Sequence, residues 1–249
     1  MAAELEEFKE ILKREAECLI KNVIPEKIVA LNRLIDNSIR NQDLANVHQD
    51  VNIPIPSTPS LEKAKSFNRG GSRRNKASSS RAAVQRAREN PSARLDLALR
   101  EAIPCNKCLT DLIFLVKPHV KQLLEDTNVL KMWVNFMIPK FEDGNNFGVA
   151  IQEVVLNKID LVEKFAYLLF NYTSLCFMSR AEIVSKVATF PHINDYRRAV
   201  KECDENNYRY LCKMLCQIRD FYCALHDIVS KNMDRIKNPR VCEINSMCI

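Results

Sequence analysis

Apolar residues recur every three or four positions along four long segments of the chain, a spacing typical of α-helices that bury one face. The segments cover about residues 4–36, 105–138, 149–189 and 195–237. In the second, the apolar positions run from Leu109 to Met137 in steps that alternate between four and three, as in packed helical bundles. The pattern predicts an all-α protein built as an elongated four-helix bundle.

The third segment carries two apolar stripes. They contain Ile151, Val155, Ile159, Val162, Ala166, Leu169, Thr173 and Cys176 in one, and Val154, Leu161, Phe165, Leu168, Tyr172 and Leu175 in the other. Two adjacent stripes make a face that is wider than one partner helix can cover. The segment is therefore predicted to pack inside a bundle and also to contact another subunit.

Prolines divide the chain between and within these segments. Pro25 is expected to kink or split the first helix, and Pro139 to end the second. Three prolines within residues 54–59 predict an extended strap. We therefore divide the chain into four parts: an N-terminal helix and strap at 1–56, a flexible insertion at 57–103, helices two to four at 104–240, and a tail at 241–249.

The basic character of the chain is concentrated in the insertion. Residues 63–100 hold eleven Lys and Arg against two acids, a net charge of +9, whereas the whole chain has +6. Arg73, Arg74, Lys76 and Arg81 could form a nuclear localisation cluster, or the segment could be a solvated linker. Nucleic-acid contact is a third interpretation, which the lack of interleaved aromatic residues weakens.

Composition and targeting signals narrow the class of protein. The sequence has no uninterrupted apolar run long enough to span a membrane, and its acidic N-terminus lacks a signal-peptide pattern. We therefore expect a cytosolic or nuclear protein.

Nothing in the sequence has the spacing of a known catalytic or metal site. Nucleophile-elbow, zinc-protease and phosphate-loop motifs are absent. A single CxxC at Cys105 and Cys108 has no second ligand pair, which a structural zinc site would need. We interpret Cys212, Cys216 and Cys223, spaced along one helix, as buried apolar residues. The expectation is a protein that is not an enzyme, with no metal and no cofactor.

One short loop stands out because it contains two of only four glycines in 249 residues. The sequence EDGNNFG at residues 142–148 separates the second and third predicted helices. Gly144 and Gly148 allow positive φ, and Asn145 and Asn146 tolerate it better than most residues. The loop is predicted to hold a fixed shape with Phe147 packed back onto the bundle. On loop chemistry alone, an ordinary helical-hairpin loop is the favoured interpretation.

This loop and its flanks, residues 131–153, resemble the activation-loop region of the 11S proteasome activators. Residues 185–198 resemble the family's connection between its third and fourth helices. Residues 225–232 and 238–240 resemble the last helix of the family, and residues 48–56 resemble the strap that follows its first helix. The resemblance covers roughly residues 5–56 and 104–240.

The resemblance implies a heptameric ring of four-helix bundles that caps the 20S proteasome without ATP. The activation loop within 141–149 would press on the gating tails of the α-ring through Glu142, Asp143, Gly144, Asn145, Asn146, Phe147 and Gly148. The C-terminal tail, with Met247, Cys248 and Ile249, would dock between α subunits. The basic insertion is most similar to that of the nuclear, homoheptameric gamma type, which implies the nucleus, with the cytoplasm as an additional compartment, and an import receptor as a further partner.

Two departures leave alternatives open. Tails of the family usually end in an aromatic residue, whereas this chain ends in Ile249, and its insertion lacks the alternating Lys and Glu of some family members. A helical ring that binds other proteins without opening a proteasome is the first alternative. A basic-arm nucleic-acid-binding protein is the second, and neither involves a membrane.

Overall fold

The computed structural model describes residues 2–38, 44–53, 55, 103–142 and 144–240. This part of the chain is all-α and contains no β-strand. The helices are α1 (Ala2–Cys18), α2 (Ile24–Ser38), α3 (Lys107–Met137), α4 (Phe147–Thr189), α5 (Asn194–Lys231) and α6 (Met233–Lys237), with a π-helical turn at Leu19–Val23 and a 3₁₀ turn at Leu44–Val47. The all-α fold with four long helical segments is confirmed, and the predicted bounds agree to within a few residues except at the end of the last segment.

Pro25 splits the first helical segment as predicted, and the split takes the form of a π-turn. The N–H of Ile24 binds the carbonyl oxygen of Leu19, five residues earlier. Proline has no N–H and its ring crowds the carbonyl four residues before it. Widening the turn immediately before Pro25 accommodates both effects, and the chain continues as α2.

The chain divides into two compact units, and α3, α4 and α5 contribute residues to both. The first unit comprises Met1–Asp43, Asp111–Leu175 and Tyr208–Ile249. Its core consists of buried residues from every helical segment, including Leu12, Ile20, Leu31, Val116, Leu123, Trp133, Val155, Ile159, Leu211, Ile218 and Leu225. The predicted core stripes of α3, α4 and α5 therefore lie inside, as their periodicity requires.

A buried polar cluster joins three helices of this unit. The carboxylate of Asp126 on α3 is 5% exposed, and it accepts a hydrogen bond from the Lys27 ammonium of α2. It also accepts one from the Tyr222 hydroxyl of α5 at 2.6 Å. A buried carboxylate is tolerated only when it is paired and hydrogen-bonded. Burial, with Asp126 as the second cause, raises the pKa of Tyr222 well above its usual range.

The second unit comprises Leu44–Thr110 and Cys176–Asn207. In it the strap residue Ile53 packs against Val184, Val187, Ala188 and Val200. Arg197 donates to the Ile53 carbonyl oxygen at 2.7 Å, which holds this part of the strap in place. The Ile53 N–H binds the Val51 carbonyl oxygen at 2.7 Å, so the strap turns here and is not fully extended. The Pro54 and 56–59 part of the strap, and the insertion up to residue 102, lie outside the described residues.

The second stripe of α4 is exposed to solvent in the single chain. Val154 is 58% exposed, Leu161 46%, Leu168 62% and Leu175 52%. The other stripe is buried from Val155 to Cys176, so the two faces have different environments. An exposed apolar row on a helix commonly marks an interaction surface.

The cysteines of α5 do not share one environment. Cys212 is buried, Cys216 is partly exposed and Cys223 is exposed. The prediction that all three are core residues is wrong: the three lie on one side of α5, and that side is buried only at Cys212. No helix in the described part of the chain has the length and hydropathy needed to span a bilayer.

Candidate functional site

The loop between α3 and α4 is shorter than the sequence predicts. Helix α3 ends at Met137, and α4 begins at Phe147 rather than at residue 149. Phe147 and Gly148 therefore belong to the first turn of α4, not to the loop. The described part of the loop itself, residues 138–142 and 144–146, is mostly exposed.

The two glycines of this region serve different purposes. Gly144 has a φ of 141°, with no atom near the position of a β-carbon, so its requirement is conformational. Gly148 is helical, and the prediction that it allows positive φ is wrong. A β-carbon on Gly148 would lie closer than 3.0 Å to backbone atoms of Pro239, so glycine is required there by close approach.

The asparagine pair forms the start of α4. The side-chain oxygen of Asn145 accepts the N–H of Phe147 at 3.2 Å, and the carbonyl oxygen of Asn146 accepts the N–H of Ala150 at 2.9 Å. The bond from Asn145 satisfies a donor of the first turn that has no partner within the helix, and the bond to Asn146 is the first regular hydrogen bond of α4. The Asn146 side chain itself lies at the exposed surface.

Phe147 is 67% exposed, so the prediction that it packs back onto the bundle is wrong. Phe147 lies in the first turn of α4, one position before the buried Gly148, and its ring is largely exposed. Phe141, within the loop, is 93% exposed. Two accessible aromatic rings therefore lie here, Phe141 in the loop and Phe147 at the start of α4, and only Phe147 was singled out from the sequence.

The buried side chain of Gln152 connects the helix ends on either side of the loop. It lies one turn after Gly148 and is fully buried. Its amide nitrogen donates to the carbonyl oxygen of Met137 at 2.9 Å and to that of Ile236 at 2.7 Å. The end of α3, the start of α4 and the short helix α6 are therefore joined by one side chain.

An ion pair fixes α6 on the outside of the same unit. The ammonium group of Lys237 lies 2.6 Å from the carboxylate of Glu17 on α1, and each side chain is about a quarter exposed. The hydrogen bond from Lys237 is the largest cause of the lowered pKa of Glu17. Helix α6 therefore forms a fixed platform for the residues that follow it.

Arg240, just after this platform, reaches both sides of the loop. Its guanidinium donates to the carboxylate of Glu142 at 3.0 Å, and a second nitrogen lies 3.5 Å from the side-chain oxygen of Asn146. Glu142 precedes the tip of the loop and Asn146 follows it. Arg240 could not be assigned to the loop from the sequence, because 98 positions separate it from Glu142 and no local pattern connects them.

Several predicted site residues lie outside the described residues. They are Asp143 in the loop, Met247, Cys248 and Ile249 in the tail, and Arg73, Arg74, Lys76 and Arg81 in the insertion. Within the described ranges, no group of three or more His, Cys, Asp or Glu side chains could hold a metal ion. The loop offers a shaped surface of amide, carboxylate and aromatic groups, which suits recognition by contact.

Comparison with known proteins places almost the whole chain in one family. The profile described as "Proteasome activator PA28, N-terminal" matches residues 1–58, and that described as "Proteasome activator PA28, C-terminal" matches residues 102–246. The chain is 35% identical to proteasome activator complex subunit 3 of Homo sapiens, covering 95% of this chain and 91% of that protein. It is 32% identical to the human subunit 2, covering 98% and 93%.

Solved structures show the same fold. The 11S subunit of the Plasmodium falciparum proteasome, PA28, superposes with a TM-score of 0.71 at 24% identity, covering 96% of this chain and 94% of the other. A chain from the crystal structure of an archaeal 20S proteasome in complex with a mutated P26 activator gives a TM-score of 0.51 at 11% identity, covering 88% and 98%. At these identities the likeness concerns the fold.

Proposed function

This chain belongs to the PA28 family of proteasome activators, and we propose that it is an ATP-independent activator that caps the 20S core particle and opens its gate. Opening the gate would admit peptides to the proteolytic chamber and stimulate their hydrolysis. The chain would act as a regulator of a protease and would carry no catalytic residue of its own.

The observation that supports this proposal most directly is the set of contacts at the two ends of the loop between α3 and α4. Gly144 provides a backbone turn, Gly148 packs on Pro239, and Arg240 contacts both sides. A ligand shifts a two-state gate only by its differential affinity for the open and closed forms. A loop with one defined surface can favour one form of the gate, whereas a freely moving loop would lose part of that preference to ordering entropy.

Self-association is the second element of the proposal. The exposed stripe of Val154, Leu161, Leu168 and Leu175 on α4 needs a partner surface, and another copy of the chain is the occupant we propose. A contact between different faces of identical subunits closes into a ring when its rotation permits. The resemblance to 11S activators indicates a homoheptamer.

The tail at 247–249 is the proposed anchor to the α-ring of the proteasome. Each tail would bind weakly, and several tails on one ring would bind avidly because the ring raises their effective concentration. This arrangement separates two tasks, since the tails supply binding energy and the loops bias the gate. For the basic insertion we propose a role in nuclear import.

The test is hydrolysis of a fluorogenic peptide by purified, latent 20S proteasome with increasing amounts of the chain. We expect saturable stimulation without ATP. A variant that lacks Met247, Cys248 and Ile249 is the control, and we expect it to assemble as the wild type does but neither to co-sediment with the proteasome nor to stimulate it.

The main alternative is a helical scaffold that binds proteins without opening a proteasome. It is favoured by Ile249 at the end of the tail, where the 11S activators that the chain resembles usually have an aromatic residue. Co-sedimentation without stimulation at saturating concentration would support the scaffold and overturn the activator.

A further inference from the structure

We propose that Arg240 is a positioning residue that holds the two sides of the loop between α3 and α4 in the shape that acts on the gate. The proposal rests on the proposed function, and it concerns a residue outside the loop that the sequence analysis did not assign to it. Its geometric basis is the pair of contacts from one guanidinium to Glu142 and Asn146.

The guanidinium suits this task because its donors have a fixed, planar arrangement. Two of its nitrogens can bind two acceptors at once, which an ammonium group on a flexible stem does less well. Here Nη1 binds the Glu142 carboxylate on the side that leaves α3, and Nη2 reaches Asn146 on the side that enters α4. The bonds therefore close the loop across its mouth.

The backbone that carries Arg240 is itself fixed. Pro239 is buried against Gly148 with no space for a side chain between them. Gln152 binds the carbonyl oxygen of Ile236, and Lys237 pairs with Glu17. The backbone position of Arg240 is therefore defined. Its side-chain contacts hold Glu142 and Asn146 at defined positions relative to that backbone.

The contacts are too exposed to be a general source of stability. The Arg240 side chain is 27% exposed and that of Glu142 is 61% exposed. Ion pairs in such surroundings add little to folding, because solvent screens them. Their effect is therefore expected on the shape of the loop and not on whether the bundle folds.

Arg240 also lies where the described chain ends and the tail begins, nine residues before Ile249. The residue that closes the loop is thus continuous with the proposed anchor. A variant could change docking or gating, and the experiment must read the two separately.

The experiment measures peptide hydrolysis by the purified 20S proteasome as a function of activator concentration. The half-saturating concentration reports docking, and the plateau reports gating. For Arg240→Ala we expect a half-saturating concentration within about twofold of the wild type and a plateau lowered by about threefold or more, since only the bias of the gate is lost. Arg198→Ala is the matched control, because that side chain is 80% exposed and pairs within its own helix; its plateau should not change.

Two further variants distinguish positioning from a merely structural role. Glu142→Gln removes the charge of an exposed acceptor and should lower the plateau without affecting folding. The reciprocal double variant Arg240→Glu with Glu142→Arg restores an opposite-charge pair across the loop, and its plateau should exceed that of either single exchange.

The outcomes separate this proposal from the proposed function. If the wild type does not stimulate the proteasome, the proposed function fails. If the wild type stimulates and Arg240→Ala reaches the same plateau, or if the reciprocal variant is no better than its single exchanges, the positioning role of Arg240 is overturned. A change confined to the half-saturating concentration would also overturn it.

Discussion

Gly148 packs directly against the backbone of Pro239, so that a β-carbon on Gly148 would lie closer than 3.0 Å to three Pro239 atoms. This relationship joins the first turn of α4 to the segment that precedes the C-terminal tail. It places the loop and the base of the tail on one rigid support.

Substitution of Gly148 should therefore destabilise the support. Gly148→Ala forces Pro239 to move, and overpacking of this kind typically costs about 1–3 kcal/mol. We expect a lower melting temperature in circular dichroism together with weaker stimulation. Ala150→Ser, at an exposed position of the same helix, is the control. An unchanged melting temperature for Gly148→Ala would contradict the close approach.

Asn146→Leu should separate docking from gating. Asn146 contributes its backbone carbonyl to α4, which leucine also provides, and its side chain is exposed. The change in stability should stay within about 0.5 kcal/mol. The variant should bind the proteasome and compete with the wild type, yet stimulate hydrolysis far less, because polar contacts of the loop are lost.

The control for this variant is Asn52→Leu, the same exchange at an exposed position of the strap. Full stimulation by Asn146→Leu, or parallel loss of binding and stimulation, would show that this side chain does not act on the gate.

Charges on the exposed stripe of α4 should prevent self-association. In Leu161→Glu with Leu168→Glu, two half-exposed apolar residues become carboxylates that cannot be buried without a partner. We expect sedimentation to show smaller species with unchanged helicity. Ser174→Glu adds a charge at an exposed position off the stripe and should leave the assembly intact. If the double variant assembles at the same protein concentrations as the wild type, this face is excluded as the interface.

Tyr222→Phe should destabilise the first unit in a pH-dependent way. Loss of the hydroxyl removes a donor from buried Asp126, at a cost of about 1–3 kcal/mol. The folded chain raises the pKa of Tyr222, so the native state keeps this proton when the unfolded chain releases it. The stabilisation is complete below the unfolded value of about 10 and declines above it by up to about 1.4 kcal/mol per pH unit.

The measurement is denaturant unfolding of both proteins between pH 8 and pH 11, values that bracket the unfolded pKa of about 10. The stability difference between wild type and Tyr222→Phe should narrow above pH 10. Tyr167→Phe, at a side chain that is 55% exposed, is the control and should change stability by less than about 0.5 kcal/mol. A constant difference across the range would refute the pKa argument.

Deletion of residues 63–100 should affect cellular location and not the purified activity. The segment carries a net charge of +9. We expect the shortened chain to stimulate the proteasome as the wild type does, while a fluorescent fusion accumulates less in the nucleus. Loss of stimulation in the purified system would show that the insertion contributes to activation as well as to nuclear import.

The sequence by itself determined the fold class and the limits of the helices. Periodic apolar positions, such as those from Leu109 to Val134, form one face of a helix whatever the partner is, so their burial could be predicted. The split at Pro25 follows from the missing N–H and the ring of proline, which are local properties. The position of the loop was equally local, because glycine and asparagine were concentrated in one place.

Only the tertiary structure decided how the loop is held. The need for glycine at position 148 comes from Pro239, and the contacts of Glu142 come from Arg240, in each case about 90 or more positions away in the chain. Local spacing carries no information on such pairs, so Gly148 was expected to allow positive φ and Phe147 to pack back onto the bundle. Helix packing brings distant backbone segments into contact, and the steric and hydrogen-bonding demands at those contacts exist only once the bundle has formed.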